Sequence, residues 1–130
     1  MFTLEQIKAA HSQVKSGVNF PAYVQALITL GAKRYDVFVA DGRSVYVGMD
    51  GSVLESLAKY PALSVASVSD PEKFQLCLKR HQAGETDYPT FCQDAAAMGV
   101  EKWCVDTETM TCTYADREGR QLFIETIPTV

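Results

Sequence analysis

Residues 20–51, FPAYVQALITLGAKRYDVFVADGRSVYVGMDG, and residues 88–119, YPTFCQDAAAMGVEKWCVDTETMTCTYADREG, are two copies of one pattern. Placing residue 20 on residue 88 superimposes six identical residues, whereas average composition predicts roughly two. The identical pairs are Pro21/Pro89, Gln25/Gln93, Gly31/Gly99, Val37/Val105, Tyr46/Tyr114 and Gly51/Gly119. An internal repeat of this kind predicts two similar half-domains related by a pseudo-two-fold axis.

Two helices are predicted at the start of each copy. In the first copy the apolar spacing predicts a helix over 3–16, with Thr3 and Gln6 in a capping box and Gly17 at its end. Its counterpart in the second copy is capped by Asp70, opens with Pro71 and ends at Gly84. The second helices start at Phe20 and Tyr88, and each ends at one of the matched glycines, Gly31 and Gly99.

Strands follow each matched glycine, because the apolar period changes to two. In the first copy we expect strands over 35–40, 44–48 and 63–68, with one or two helical turns within 52–60. In the second copy we expect strands over 103–108, 111–115 and 121–127. The turns between them contain Asp41-Gly42, Asp50-Gly51 and Glu118-Gly119, which are typical turn sequences.

This pattern predicts an α+β fold in a single domain of residues 1–130, with repeat one at 1–68 and repeat two at 69–130. Three strands with two helices leave one sheet edge and one sheet face uncovered, so two copies are expected to pair edge to edge or to pack face to face. We favour edge pairing, which gives one mainly antiparallel sheet of about six strands with the helices on one face.

The composition disfavours several classes of function. The net charge is −4 and the lysines and arginines are scattered, so nucleic-acid and membrane-surface binding are not expected. No apolar run reaches the length of a membrane span, and the first residues lack the pattern of a signal peptide. The four cysteines have no zinc-knuckle spacing and are expected to be reduced thiols. A cytoplasmic protein is therefore expected.

Several motifs together resemble a known family. They are Thr86-Asp-Tyr-Pro-Thr-Phe-Cys, Gly99-Val-Glu-Lys-Trp, Met110-Thr-Cys-Thr-Tyr and the opening Met1-Phe-Thr-Leu-Glu-Gln. The chain resembles, over nearly its whole length, an uncharacterised bacterial family whose members have about the same length. These members are often carried by prophages and are sometimes labelled "phage envelope protein". The resemblance implies no catalytic residues, and the sequence shows neither a membrane span nor a secretion signal that would fit the envelope label.

Four residues are candidates for a ligand site. His11 and His81 have near-equivalent places in the first helix of each copy, which suggests two imidazoles facing each other across the pseudo-two-fold axis. The alternative is that each histidine lies on its helix stripe and bonds a neighbour. Tyr46 and Tyr114 are matched on the second strand, where they would line a binding groove or belong to the core. No metal site is expected, because two histidines alone seldom hold a metal.

Cysteine catalysis is the other chemistry to consider. Cys92 and Cys104 would be nucleophiles only if a histidine came near them. Cys92 lies on an apolar helix stripe, which favours an inert thiol, and Cys104 is expected on the opposite side of its strand from Trp103.

The sequence favours a small cytoplasmic binding or regulatory protein, non-catalytic and without a cofactor, whose partner is a protein or a small molecule. The alternative is an enzyme or a small-molecule sensor with a site between the two repeats. The position of the histidines distinguishes these two interpretations, since a site between the repeats requires both in one cleft. A homodimer formed through an exposed sheet face or edge is compatible with both.

Overall fold

The computed structural model describes residues 2–12 and 20–128, in which each repeat contains two helices followed by three strands. Repeat one comprises α1 (Leu4–His11), α2 (Phe20–Leu30), β1 (Ala32–Phe38), β2 (Ser44–Gly48) and β3 (Val53–Glu55). Repeat two comprises α3 (Pro71–Gln82), α4 (Tyr88–Ala97), β4 (Lys102–Asp106), β5 (Thr111–Ala115) and β6 (Gln121–Thr126). The α+β class and the repeated order of elements are confirmed.

The helix starts follow from local capping chemistry. The Thr3 hydroxyl accepts from the Gln6 backbone N–H, and the Gln6 side chain accepts from the Thr3 backbone N–H, which completes the predicted capping box. Asp70 caps α3 in front of Pro71, and Asp87 caps α4. The predicted end of the first helix at Gly17 lies outside the described residues.

The six strands form one antiparallel sheet in the order β3-β2-β1-β4-β5-β6, so the two repeats pair through β1 and β4. In that central pair Asp36 lies opposite Cys104, its own counterpart in the second repeat. On either side, Tyr35 pairs with Val105 and Val37 pairs with Trp103, so each repeat presents the same positions to the other. The register therefore places the pseudo-two-fold axis between Asp36 and Cys104.

The third strand of repeat one is not where the sequence pattern placed it. Val53–Glu55 forms β3 and pairs with β2, with Leu54 opposite Tyr46, so the predictions of a helical turn within 52–60 and of a strand over 63–68 are wrong. The tight turn through Gly51, whose φ is +83°, returns the chain onto β2 immediately. The Leu63 and Ala66 backbone N–H groups donate instead to the carbonyls of Ala40 and Ala96, which ties the later segment to both repeats without a strand ladder.

All the helices described lie on one face of the sheet, as predicted. α2 packs against β1 and α3 packs against β6. The sheet residues that face them are buried, among them Tyr35, Tyr46, Trp103 and Tyr114. The opposite face has no helix among the described residues, and there Ile124 is 50% exposed. The predicted repeat boundary at 68/69 falls between β3 and α3 and stays a prediction. In residues 2–12 and 20–128 no helix is both long enough and apolar enough to cross a membrane.

Candidate functional site

A cavity of about 110 Å³ lies between the helices and the sheet, and both repeats contribute to its wall. His11, His81, Tyr46 and Tyr114 all line it. The four residues singled out from the sequence are therefore brought together, and the two histidines share one cavity rather than lying apart in the core. This is the geometry that an interpretation with a site between the repeats requires.

The cavity wall is built from the same series of rings twice. In each repeat a histidine and three aromatic residues lie next to one another, with successive ring centroids 4.4–6.1 Å apart. One ladder is His11, Tyr23, Tyr35 and Tyr46, and the other is His81, Phe91, Trp103 and Tyr114. The three aromatic members of each ladder occupy matched positions of the repeat. Edge-to-face and offset contacts of this kind hold aromatic rings in fixed orientations.

His81 is fixed in one tautomer. Its Nδ1 lies 3.1 Å from the Thr86 carbonyl oxygen, which can only accept, so Nδ1 carries the proton. Its ring stacks on Phe91 with the centroids 4.4 Å apart. Burial lowers the pKa of His81 below its ordinary value of 6.5, and the Thr86 carbonyl and Asp87 oppose this shift. The imidazole is therefore neutral at pH 7, with Nε2 as a hydrogen-bond acceptor.

His11 contacts both repeats. Its ring meets Tyr23 of repeat one edge-on at 5.2 Å and Tyr88 of repeat two at 6.1 Å. Burial, and to a lesser extent the positive charge of Lys59, lowers the pKa of His11, so this imidazole is also neutral at pH 7. Two neutral imidazoles do not form an anion site by their own charge.

The hydroxyl groups of the two matched tyrosines have different partners. The Tyr46 hydroxyl lies 3.3 Å from the hydroxyl of Tyr23. Phe91 stands at the position equivalent to Tyr23, and the Tyr114 hydroxyl instead donates to Glu125 Oε1 at 2.8 Å. Burial raises the pKa of Tyr114 well above its usual range, so its hydroxyl keeps the proton that it donates. The ring framework is symmetric, but its polar groups are not.

In the described part of the chain two charged side chains also line the cavity, one from each repeat. Glu125 accepts from Tyr114 and, at 2.7 Å, from Gln82 Nε2, so both its carboxylate oxygens are engaged. Lys59, in the segment after β3, forms no ion pair with any described residue. Partial burial of its side chain lowers the pKa of Lys59, although the residue as a whole is exposed; Cys92 opposes this shift and the charge on Lys8 adds to it more weakly. Repeat one therefore contributes a positive charge to the cavity wall and repeat two a negative charge.

The cysteines are not activated. All four are free thiols, and Cys92 is fully buried as predicted. Burial raises the pKa of Cys92, against the opposing hydrogen bonds from Tyr60 and Tyr88. Cys104 faces away from the cavity on the helix-free side of the sheet, where burial and its hydrogen bond to Asp36 raise its pKa to about 12. Neither thiol has the thiolate character that a nucleophile needs.

A metal would need more donors than the described residues bring together. Within residues 2–12 and 20–128 no three side chains of histidine, cysteine, aspartate or glutamate form a group that could hold a metal ion.

Sequence reasoning missed several residues of the cavity. Lys59, Gln82 and Glu125 are ordinary surface types in the sequence, and no similar residue at the matched position of the other repeat marks them as special. By their spacing, Tyr23 and Phe91 each belong to the apolar stripe of a predicted helix, which by itself does not mark them as site residues. Because they occupy matched positions in the two copies, the repeat itself contained the signal that could have placed them opposite one another.

The comparisons with known proteins define the class of this protein. The chain belongs to the family described as "Protein of unknown function (DUF1398)", whose model matches residues 8–126. This confirms the resemblance to an uncharacterised family. The prophage association and the envelope label are not part of that description. No curated protein matches the chain.

Proposed function

We propose that this chain is a non-catalytic binding protein that holds one small molecule in the cavity between its repeats. The single observation that carries the proposal is the pair of four-ring ladders facing one cavity, with both histidines and both matched tyrosines in its wall. Ligand sites are typically concave, lined by aromatic side chains and supplied with a few fixed polar groups. The fixed imidazole of His81 and the Tyr114–Glu125 pair supply such groups here.

The volume limits the ligand. An apolar cavity of about 150 Å³ in an engineered protein binds benzene, and the cavity here measures about 110 Å³. A ligand with one aromatic ring is therefore the size that fits with small side-chain movements. A protein partner has no segment narrow enough to enter such a space except a single side chain.

Binding is favoured over catalysis because none of the described histidines and cysteines is activated. Both histidines are neutral and the described thiols are protonated at pH 7. One observation favours the second candidate, an enzyme: the Thr86 carbonyl leaves Nε2 of His81 as a potential general base. The two candidate functions can be distinguished by the fate of the ligand, because a binding protein releases its ligand chemically unchanged and an enzyme converts it.

The proposal includes a cytoplasmic location and a role as an accessory protein. The association with prophages rests only on the resemblance to the uncharacterised bacterial family. The free thiols support a reducing compartment. A homodimer through an exposed sheet face or edge also stays a prediction, and a mass of twice the 14.3 kDa chain in light scattering would support it.

The proposal is tested by titrating the purified protein with benzene, phenol and indole, using calorimetry and the chemical shifts of the cavity residues. We expect at least one of them to bind at one site per chain and to raise the unfolding midpoint by mass action. The variant Val37→Leu fills part of the cavity and should weaken that binding. Val105→Leu, at the matched position outside the cavity, is its control. Failure of all three compounds to bind, or equal effects of the two variants, would contradict the proposal.

A further inference from the structure

Among residues 2–12 and 20–128, Lys59 and Glu125 are the two charged side chains that line the cavity, and their hydrogen-bond partners differ. Each Glu125 oxygen accepts a hydrogen bond, from the Tyr114 hydroxyl and from Gln82 Nε2. A carboxylate held in this way is already stabilised by its own side-chain network. A ligand is not needed to supply its oxygens with hydrogen-bond donors.

Lys59, an exposed residue at the cavity wall, lacks such a network. No described carboxylate lies within ion-pair distance of its ammonium group. Its backbone is nevertheless held, because the Lys59 N–H donates to the Asp41 carbonyl at 2.8 Å beside the turn between β1 and β2. Lys8 adds a second positive charge nearby, one helical turn before His11. An anion at this side of the cavity would meet Lys59 in the wall itself, with Lys8 outside the cavity lining. The nearby Asp41 carboxylate already accepts from the Arg43 backbone N–H.

From this contrast we propose that the ligand is a small aromatic carboxylate whose ring lies between the two ladders and whose carboxylate pairs with Lys59. This inference rests on the proposed function and names its ligand class. The aromatic walls select a flat ring, and the Glu125 carboxylate repels an anion from the repeat-two side. The charges of Lys59 and Glu125 together therefore give the ligand one orientation.

The neutral state of His11, near Lys59, is compatible with a carboxylate ligand. Because His11 is uncharged at pH 7, it contributes a ring edge and one N–H donor rather than a second charge. Recognition of the anion then depends on Lys59. Replacing that one side chain should remove the preference for an anion without removing the cavity.

The test compares benzoate with benzamide, which has nearly the same shape and no charge, and with benzylamine, which has the opposite charge. We expect benzoate to bind about tenfold more tightly than benzamide, and benzylamine to bind most weakly. The preference for benzoate should fall as salt is added, because the ion pair is partly exposed to solvent.

The matched variants are Lys59→Met and Lys73→Met. Lys59→Met keeps the length and the apolar stem, so benzamide should bind as before while benzoate loses its tenfold advantage. Lys73→Met changes an exposed lysine of α3 outside the cavity and should leave both affinities unchanged.

The outcomes separate this inference from the proposed function. Equal binding of benzoate and benzamide to the original protein, or an advantage for benzoate that survives in Lys59→Met, would overturn the carboxylate assignment and leave a neutral-ligand cavity in place. Binding of none of the three compounds, together with none of benzene, phenol and indole, would overturn both.

Discussion

Two valines at matched positions offer a direct test of the cavity. Val37 on β1 and Val105 on β4 correspond under the repeat, and both are buried on the helix-facing side of the central strands. Val37 lines the cavity, whereas Val105 is fully buried outside it. The same substitution, valine to leucine, adds one methylene at each position. Backbone setting and chemistry are therefore matched, and the difference lies in the free space next to the side chain.

The added methylene is expected to change the free energy of unfolding in opposite directions at the two positions. At Val105 the added methylene enters a packed core, and such overpacking costs about 1–3 kcal/mol of the free energy of unfolding. At Val37 it enters the cavity, where burying one methylene is worth about 0.8 kcal/mol and little has to move. We expect Val37→Leu to lie within about 1 kcal/mol of the original protein and Val105→Leu to be clearly less stable.

Urea unfolding measures the stability of both variants. The midpoint reports the stability, and an unchanged m-value shows that both variants unfold in the same way. Destabilisation of Val37→Leu by as much as Val105→Leu would refute the reasoning. It would mean that the space beside Val37 does not accommodate an added group, and the ligand proposal would lose its physical basis.

Three other predictions follow from contacts in the structure. Tyr114→Phe removes a hydrogen bond to a carboxylate and should cost about 1–2 kcal/mol of unfolding free energy, whereas Tyr46→Phe removes only a neutral hydroxyl pair and should cost about 1 kcal/mol or less; equal losses in urea unfolding would contradict the different roles assigned to the two hydroxyls. Thr3→Ala removes the cap of α1 and should cost about 1 kcal/mol, while Thr3→Ser, which keeps the hydroxyl, should cost much less; a similar loss in both would show that the cap is not the cause. Because burial lowers the pKa of His81 below 6.5, the unfolded chain binds the proton more readily, so stability should fall as the pH drops from 7 to 5. That fall should be smaller in His81→Phe, and an unchanged pH profile in the variant would exclude His81 as a source.

The repeat allowed most of the fold to be predicted. Pairing of the two copies edge to edge follows from the need to cover an open strand, and the observed opposition of Asp36 and Cys104 is the register that a two-fold axis requires. The third strand of repeat one was misplaced because Val53–Glu55 is too short to show an alternation, while 63–68 is longer and more apolar. The repeat still contained the answer, since the alignment of the two copies places Val53 on Gln121, where β6 begins.

The site was predictable only as far as it is symmetric. Tyr46 and Tyr114 could be selected because they occupy matched positions of the repeat, and His11 and His81 because they occupy near-equivalent ones. Lys59 could not be selected in that way. It lies in an irregular segment whose path depends on tertiary hydrogen bonds, such as the one to the Asp41 carbonyl, and no local pattern encodes these.

The departures from symmetry say the most about the ligand. A cavity with two identical halves would accept an unsymmetrical ligand equally well in two orientations. In this chain both repeats keep aromatic rings in the cavity wall, for example Tyr35 in repeat one and Trp103 at the matched position of repeat two. The polar groups differ between the two repeats. Tyr23 bonds Tyr46 in one repeat, whereas in the other Phe91 has no hydroxyl and Glu125 takes over as the partner of Tyr114. Each of these polar groups occurs in one half and not in the other. They are what distinguishes the two sides of the cavity, and a ligand with a charged end and an apolar ring is the kind of molecule for which that distinction matters.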